Sequence, residues 1–420
     1  MNGKEKMRAA LAHTEGPVPF DLGATPVSGA HISVVRELRQ WYGLAERPVK
    51  LTDPMQMLGE IDDELREAMG IDTVSAAGKF NIYGFANENY KPWRTPWGQE
   101  ILVPGDFNVT EANGKVYMYP KGDTSVLPCA AMSGGGYFFD TIIRQNEIDD
   151  DNLNPEDNLE EFGDITDAEL AHYRQLAAQY ANSDRAVVAG VGGLGLGDIA
   201  LVPGTMLTAP KGIRDVEEWY MSTVLRPDYL HEVFTKQVDI ALRNLAKIQP
   251  ILGELPLAVY ACGTDFGTQT STFCSGSTFS ELYMPHYKRF TGWIHEHTGW
   301  KIFKHSCGAV EGLMPLLAEA GFDILNPVQW TAAGMDRKLI KARHGQALTF
   351  WGGGVDTQKT MPFGTPEAVY TETTESLQIL SVGGGFVCNT IHNLQAKTPV
   401  RNVDALVRAL HDFNWKHYGE

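Results

Sequence analysis

From about residue 185 onward the chain alternates short apolar runs with helix-length segments, and this alternation constrains the fold more than any other feature. Runs of strand length occur at 186–189, 257–261, 302–303, 323–325, 347–351 and 385–388. Between them lie segments long enough for helices, among them 280–297, 310–320 and 365–379. The last opens with Thr365-Pro366-Glu367, a capping residue followed by proline at the first helical position. A strand followed by a helical crossover returns parallel to its predecessor, so the repetition predicts a parallel sheet. Several runs end in small or polar residues (Gly190, Gly263, Asn326, Gly352, Asn389), which suits chemistry placed on the loops after the strands. The expectation is an α/β chain forming a (β/α)8 TIM barrel with an inserted antiparallel cap. Six strands are legible in the second half, which assigns the remaining two to the first.

The first half divides by composition. Residues 1–75 read as the N-terminal helical part of the barrel domain, with helix-forming residues from Glu60 to Met69 and a helix start at Leu51-Thr52-Asp53-Pro54. Residues 76–165 read as a cap insertion and acidic linker. Trp93, Trp97, Tyr117, Tyr119, Tyr137, Phe138 and Phe139 sit there among short strand-like runs, and Asn113-Gly114 supplies a hairpin turn. These aromatics are expected to form a small core or to close over a substrate. The acidic stretch 146–164 reads as a solvated linker. Residues 166–420 form the main part of the barrel, opened by the capping box Thr166-Asp167-Ala168-Glu169 ahead of a helix through Tyr180.

A net charge of −17, with no clustered Lys or Arg, argues against nucleic-acid binding. No run of about 18 apolar residues offers a membrane span. The opening Met1-Asn2-Gly3-Lys4-Glu5-Lys6 has no apolar signal region. Five scattered cysteines do not make a disulfide framework, so the expected compartment is the reducing cytoplasm.

The chemistry concentrates at His305-Ser306-Cys307-Gly308 and, far downstream, Cys388. Imidazole nitrogen and thiolate sulfur are the ligands zinc prefers, and each group sits at a strand end. His305, Cys307 and Cys388 are therefore candidate metal ligands that leave a fourth position free; the same residues also suit buried core cysteines beside an incidental histidine. Asp265, in a loop after another strand, is a candidate fourth ligand, proton donor or loop tether. Asn326, Gln329, His392 and Asn393 come after strands too, and suit hydrogen bonding to a polar ligand. Gly190-Val191-Gly192-Gly193-Leu194-Gly195 matches a dinucleotide fingerprint in letters, but Leu196-Gly197-Asp198 and the residues beyond do not open a long helix, as phosphate binding requires.

Three stretches resemble the uroporphyrinogen decarboxylase superfamily, and within it the zinc- and cobamide-dependent methyltransferases. They are His305–Gly308 with Ala320-Gly321-Phe322-Asp323-Ile324-Leu325-Asn326-Pro327, the Gly352-Gly353-Gly354-Val355-Asp356-Thr357 loop, and Gly383-Gly384-Gly385-Phe386-Val387-Cys388-Asn389. The resemblance covers residues 185–415 well and the opening more loosely. It implies zinc on His305, Cys307 and Cys388, with Asp265 at the family's acidic position. It also implies methyl transfer between a small molecule and a corrinoid (cobalamin) carried by a separate corrinoid-binding protein. The direction favoured here runs from a small methylated, methoxyaromatic donor to the corrinoid, with Asn326, Gln329, His392 and Asn393 orienting substrate or corrinoid. The alternatives are transfer from a methylcobamide to a thiol, and decarboxylation. The decarboxylase branch resembles a segment rich in arginine, whereas Pro19-Phe20-Asp21-Leu22-Gly23-Ala24-Thr25-Pro26 contains none. Oligomeric state stays open, a homodimer being one option.

Overall fold

A computed structural model describes residues 1–192 and 194–420. Its central element is a curled sheet of seven parallel strands: β1 (Thr73–Ala76), β2 (Ala186–Gly190), β3 (Pro256–Cys262), β4 (Lys301–His305), β5 (Ile324–Asn326), β6 (Thr349–Trp351) and β7 (Phe386–Val387). They lie side by side in chain order, each paired in parallel with the next. All six runs legible in the second half are among them, and β1 comes from the first half.

The eighth position holds no regular strand. Cys388 donates its amide to Pro19 O (2.9 Å), Asp21 donates to Cys388 O (3.0 Å), and Asp72 donates to Phe20 O (2.8 Å). The segment Pro19–Asp21 thus touches both open edges of the sheet, by a single β-bridge from Phe20 to Cys388 on one side and the Asp72 amide on the other. Pro17 and Pro19 lack an N–H, so no longer ladder can form there.

The period of two along each strand sorts side chains to two faces. Ala186, Val188, Ala258, Phe303, Ile324, Trp351 and Val387 fill the inside of the curl. Helix Gly3–Leu11 plugs the N-terminal ends of the strands with Met7, Ala10 and Leu11. The alternate residues Val187, Val259, Ile302, Leu325, Phe350 and Phe386 face outward into the larger core shared with the helices. The helix Pro227–Leu252 meets that core with Leu230, Phe234, Val238, Ala241 and Leu245, a stripe at helical spacing.

Two antiparallel segments accompany this sheet. Strands Val109–Ala112 and Lys115–Met118 form a hairpin whose turn residues Asn113 and Gly114 both have positive φ (53° and 71°), as a two-residue turn of this hand requires. Phe139 is buried against Phe107, which also meets Trp93, whereas Phe138 is exposed. The stretch expected to start a helix at 51–54 is instead the end of a strand, Val49–Asp53. Val49 and Leu51 alternate into the core, and Asp53 accepts the Gln56 amide (2.9 Å) in a turn. Asp-Pro here opens a turn. The capping box at Thr166 opens the helix Asp167–Tyr180 as the sequence indicates.

The acidic stretch is less solvated than its composition suggests. Glu161 is buried and takes two hydrogen bonds from the fully buried Arg214 (2.7 and 3.1 Å). Asn158 accepts from the amide of Ile213 and donates to its carbonyl. The Gly190–Gly195 motif includes Gly193, which lies outside the described residues. The described residues after it reach Val216 before a helix begins. No helix among the described residues is long and apolar enough to cross a membrane.

Candidate metal centre

The C-terminal ends of β3 to β7 converge on one mouth. His305 ends β4, Asn326 ends β5 and Trp351 ends β6, all pointing inward by the alternation that buries Phe303 and Ile324. Gly308, which closes the His-Ser-Cys-Gly motif, has φ +88°, and a Cβ there would lie 2.5 Å from the Gly267 backbone. The motif's glycine therefore lets two loops pass in contact.

Within this mouth, ligand atoms of His305, Cys307 and His392 all lie within 4.8 Å of one another. His305 Nε2 and Cys307 Sγ are 3.4 Å apart. Two ligands at zinc–nitrogen and zinc–sulfur bond lengths, separated by a tetrahedral angle, sit about 3.5 Å apart. The His305 and His392 rings meet edge to face, 5.5 Å between centroids. The donor set thus fits a soft divalent ion.

The surroundings select the right form of the imidazole. Asn326 donates Nδ2 to Trp351 O (2.8 Å), which turns its Oδ1 toward His305 Nδ1 (2.6 Å). Nδ1 must then carry the proton, and Nε2 presents its lone pair to the mouth. Burial holds His305 and His392 down to about 4, so both are neutral near pH 7. Burial, reinforced by the Asp265 charge, raises the Cys307 thiol well above its ordinary range. A thiolate there needs a cation beside it.

Asp265 accepts the Cys307 amide (2.7 Å) and lies 4.0 Å from His305 Nε2. Burial raises its carboxyl, against the opposing pull of that amide and of Lys304. Gln329 accepts the Gly308 amide (2.8 Å) and donates to Gln269, so it braces the motif's loop. Asn393 is occupied elsewhere, accepting from Gly29 and donating to Pro26 O and Gln56.

Cys388 does not join the group within 4.8 Å. Val387 faces the inside of the curl, while Phe386 and Cys388 belong to the outer core. The fully buried Cys388 thiol is pushed up to about 12 by burial. His392, expected to orient a ligand, stands where a third donor would.

Two further residues are not apparent from the sequence. Lys304 is fully buried on the outward side of β4 and donates to Thr264 O (2.6 Å) and His305 O (2.5 Å), tying the two loops together. A lysine within an apolar strand run was the available signal. Asp21 accepts from Trp351 Nε1 (2.8 Å) and Thr73 Oγ1 (2.6 Å) deep beneath the mouth. Its proline-flanked segment carries no strand pattern that would have placed it.

The uroporphyrinogen decarboxylase (URO-D) family profile matches residues 204–413, half of the chain, and the chain belongs to this family. It is similar to the methylated-thiol–coenzyme M methyltransferase of Methanosarcina mazei, 24% identical over 226 residues. Those residues are 51% of this chain and 53% of that protein, so the match spans about half the relative's length. The solved structure of a methyltransferase from Methanosarcina mazei superposes with a TM-score of 0.54 at 15% identity, covering 98% of this chain and 99% of that one. At that identity the likeness establishes a shared fold.

Proposed function

We propose that the chain is a zinc-dependent methyltransferase that moves a methyl group from a small methylated, methoxyaromatic donor to a corrinoid held by a partner protein. The observation that carries this reading is the His305, Cys307 and His392 donor group, with its imidazole tautomer set by Asn326. On this reading Pro19–Asp21 serves as the eighth strand of a (β/α)8 barrel, and residues 76–165 form a cap over its mouth. The name of the M. mazei relative supports methyl transfer over decarboxylation.

The zinc would be held by His305, Cys307 and His392, and when bound it would supply Lewis acidity toward the departing heteroatom. The chain's own residues do the rest. Asn326 and Lys304 fix the imidazole and the backbone on either side of it. Phe303 and Trp351, with ring centroids 5.2 Å apart, form an aromatic floor that keeps water from beneath the reacting atoms. Transfer breaks the methyl–oxygen bond as the acceptor's electron pair forms the new bond to carbon, and the oxygen leaves with its electrons. Asp265, whose carboxyl burial favours protonated, stands beside His305 Nε2 to deliver a proton to that oxygen.

Purified protein is expected to hold about one zinc per chain. It should transfer methyl from methoxyarenes to cob(I)alamin, followed by corrinoid absorbance, and lose this on His305→Ala or Cys307→Ala. Undiminished turnover in zinc-stripped protein would overturn the reading. The M. mazei relative's name favours a second reading, transfer from a methylcobamide to a thiol. Demethylation of methylcobalamin by a thiol panel, without activity on methoxyarenes, would select it.

A further inference from the structure

The floor of the same mouth carries two polar groups that methyl transfer leaves unused. Tyr260 points inward from β3 and rests its ring against Phe303, yet keeps some accessible surface. Among the described residues its hydroxyl has no hydrogen-bond partner, nor is it one of the sealed, unsatisfied polar atoms of the interior. Asp265 and Cys307 are near enough to act on it electrostatically.

Facing it is the buried Asp198, whose Oδ1 accepts the Ala200 amide (3.0 Å) and whose Oδ2 accepts the Gly263 amide (2.8 Å). Among the described residues each oxygen accepts a single bond, and a carboxylate oxygen can accept two. Gly263 lies between the two groups. A Cβ there would stand 2.7 Å from the Tyr260 hydroxyl and 2.8 Å from Asp198 Oδ2, so the glycine keeps the space between them clear.

Asp198 is the carboxyl that borders this space. Asp198 and Asp265 both feel Lys304, but its Nζ already donates to two carbonyls and lies beside the Phe266 ring. An anionic substituent would meet the Asp198 carboxyl with no free lysine or arginine beside it among the described residues.

We propose that Tyr260 and Asp198 form the subsite that selects the methyl donor by its second substituent. The group they take is a neutral or cationic hydrogen-bond donor, such as a phenol hydroxyl or an ammonium, which donates to Asp198 and accepts from the Tyr260 hydroxyl. Donors bearing a carboxylate are rejected. The proposal rests on the methyltransferase reading for the identity of the donors, but the subsite is defined by binding alone.

Calorimetric titration of the full-length protein with 2-methoxyphenol, methoxybenzene and 2-methoxybenzoate tests it. The phenol is expected to bind at least about tenfold tighter than methoxybenzene, the worth of one well-made hydrogen bond to a charged group. The benzoate should bind no better than methoxybenzene. Tyr260→Phe and Asp198→Asn should each remove most of the phenol's advantage while methoxybenzene affinity stays within about twofold. Tyr260→Phe, which removes one unpartnered oxygen, decides the matter if the Asp198 variant does not fold. Equal binding of phenol and methoxybenzene, tighter binding of the benzoate, no measurable binding of any of the three, or a preference that survives Tyr260→Phe would overturn the proposal. Because binding needs no corrinoid, a protein with this preference but no methyl transfer would sink the catalytic reading and leave the subsite standing. Transfer without the preference would do the reverse.

Discussion

His305 divides its two nitrogens between the protein and the mouth, and the division depends on one amide. Removing that amide with Asn326→Ala frees the ring to turn and to change tautomer. Zinc affinity, measured by chelator competition, is expected to fall roughly 10–100-fold while the fold persists. The ligand set itself separates cleanly: His392→Ala should lose bound zinc, whereas Cys388→Ala should keep it and lose only some packing. Metal content of the two purified variants checks this, and the opposite pattern would restore Cys388 as the third ligand. The histidines also set a pH dependence. His305 and His392 sit near 4 in the fold against an ordinary 6.5, so between those values the unfolded chain binds more protons than the native one. Stability of the metal-free protein should therefore drop as pH falls from about 6.5 toward 4. Urea midpoints across that window should fall less steeply for His392→Gln; superimposable profiles would mean that His392 is not held neutral by burial. That His305 and Cys307 meet at a strand end was legible in the sequence, because a soft-ligand pair two residues apart there is unusual. That His392 rather than Cys388 stands beside them was not, since a two-residue strand gives no alternation from which to read which side faces inward.

At the scale of elements, periodicity told most where strands are long and flanked by loops. All six strands read from residue 185 onward are present, as are the helix opened by Thr166 and the Asn113-Gly114 hairpin. Local signals failed where tertiary packing decides. Leu51–Asp53 carries a proline cue for a helix start, but burial of Val49 and Leu51 in a sheet outweighs it. The eighth position of the sheet was invisible because two prolines erase the strand pattern of a segment held only by its neighbours' edges. The Thr166 capping box offers a clean test of local energetics: Thr166→Ala should lower stability by about 1 kcal/mol, seen as a shifted denaturant midpoint with an unchanged slope. A change several times larger would mean that the residue also supports packing beyond its own helix.

Across the whole molecule, composition said little about what binds the acidic stretch to the rest. The Arg214–Glu161 pair is buried on both sides and links 146–164 to the loop ahead of helix Val216–Leu225. Arg214→Ala leaves a carboxylate buried without its partner and should cost about 3–5 kcal/mol, read from thermal and urea unfolding. Glu161→Gln added to Arg214→Met should recover part of that loss, because it removes the stranded charge. The contact of Pro19–Asp21 with both β7 and Asp72 has a different consequence. Residues made first must meet residues made almost last before either flank of the curl is covered. A nascent or N-terminally clipped chain therefore bares two rows of unpaired amides and carbonyls, one along β1 and one along β7. Until that meeting takes place, the nearest substitute for the missing segment is the matching flank of another unfinished copy.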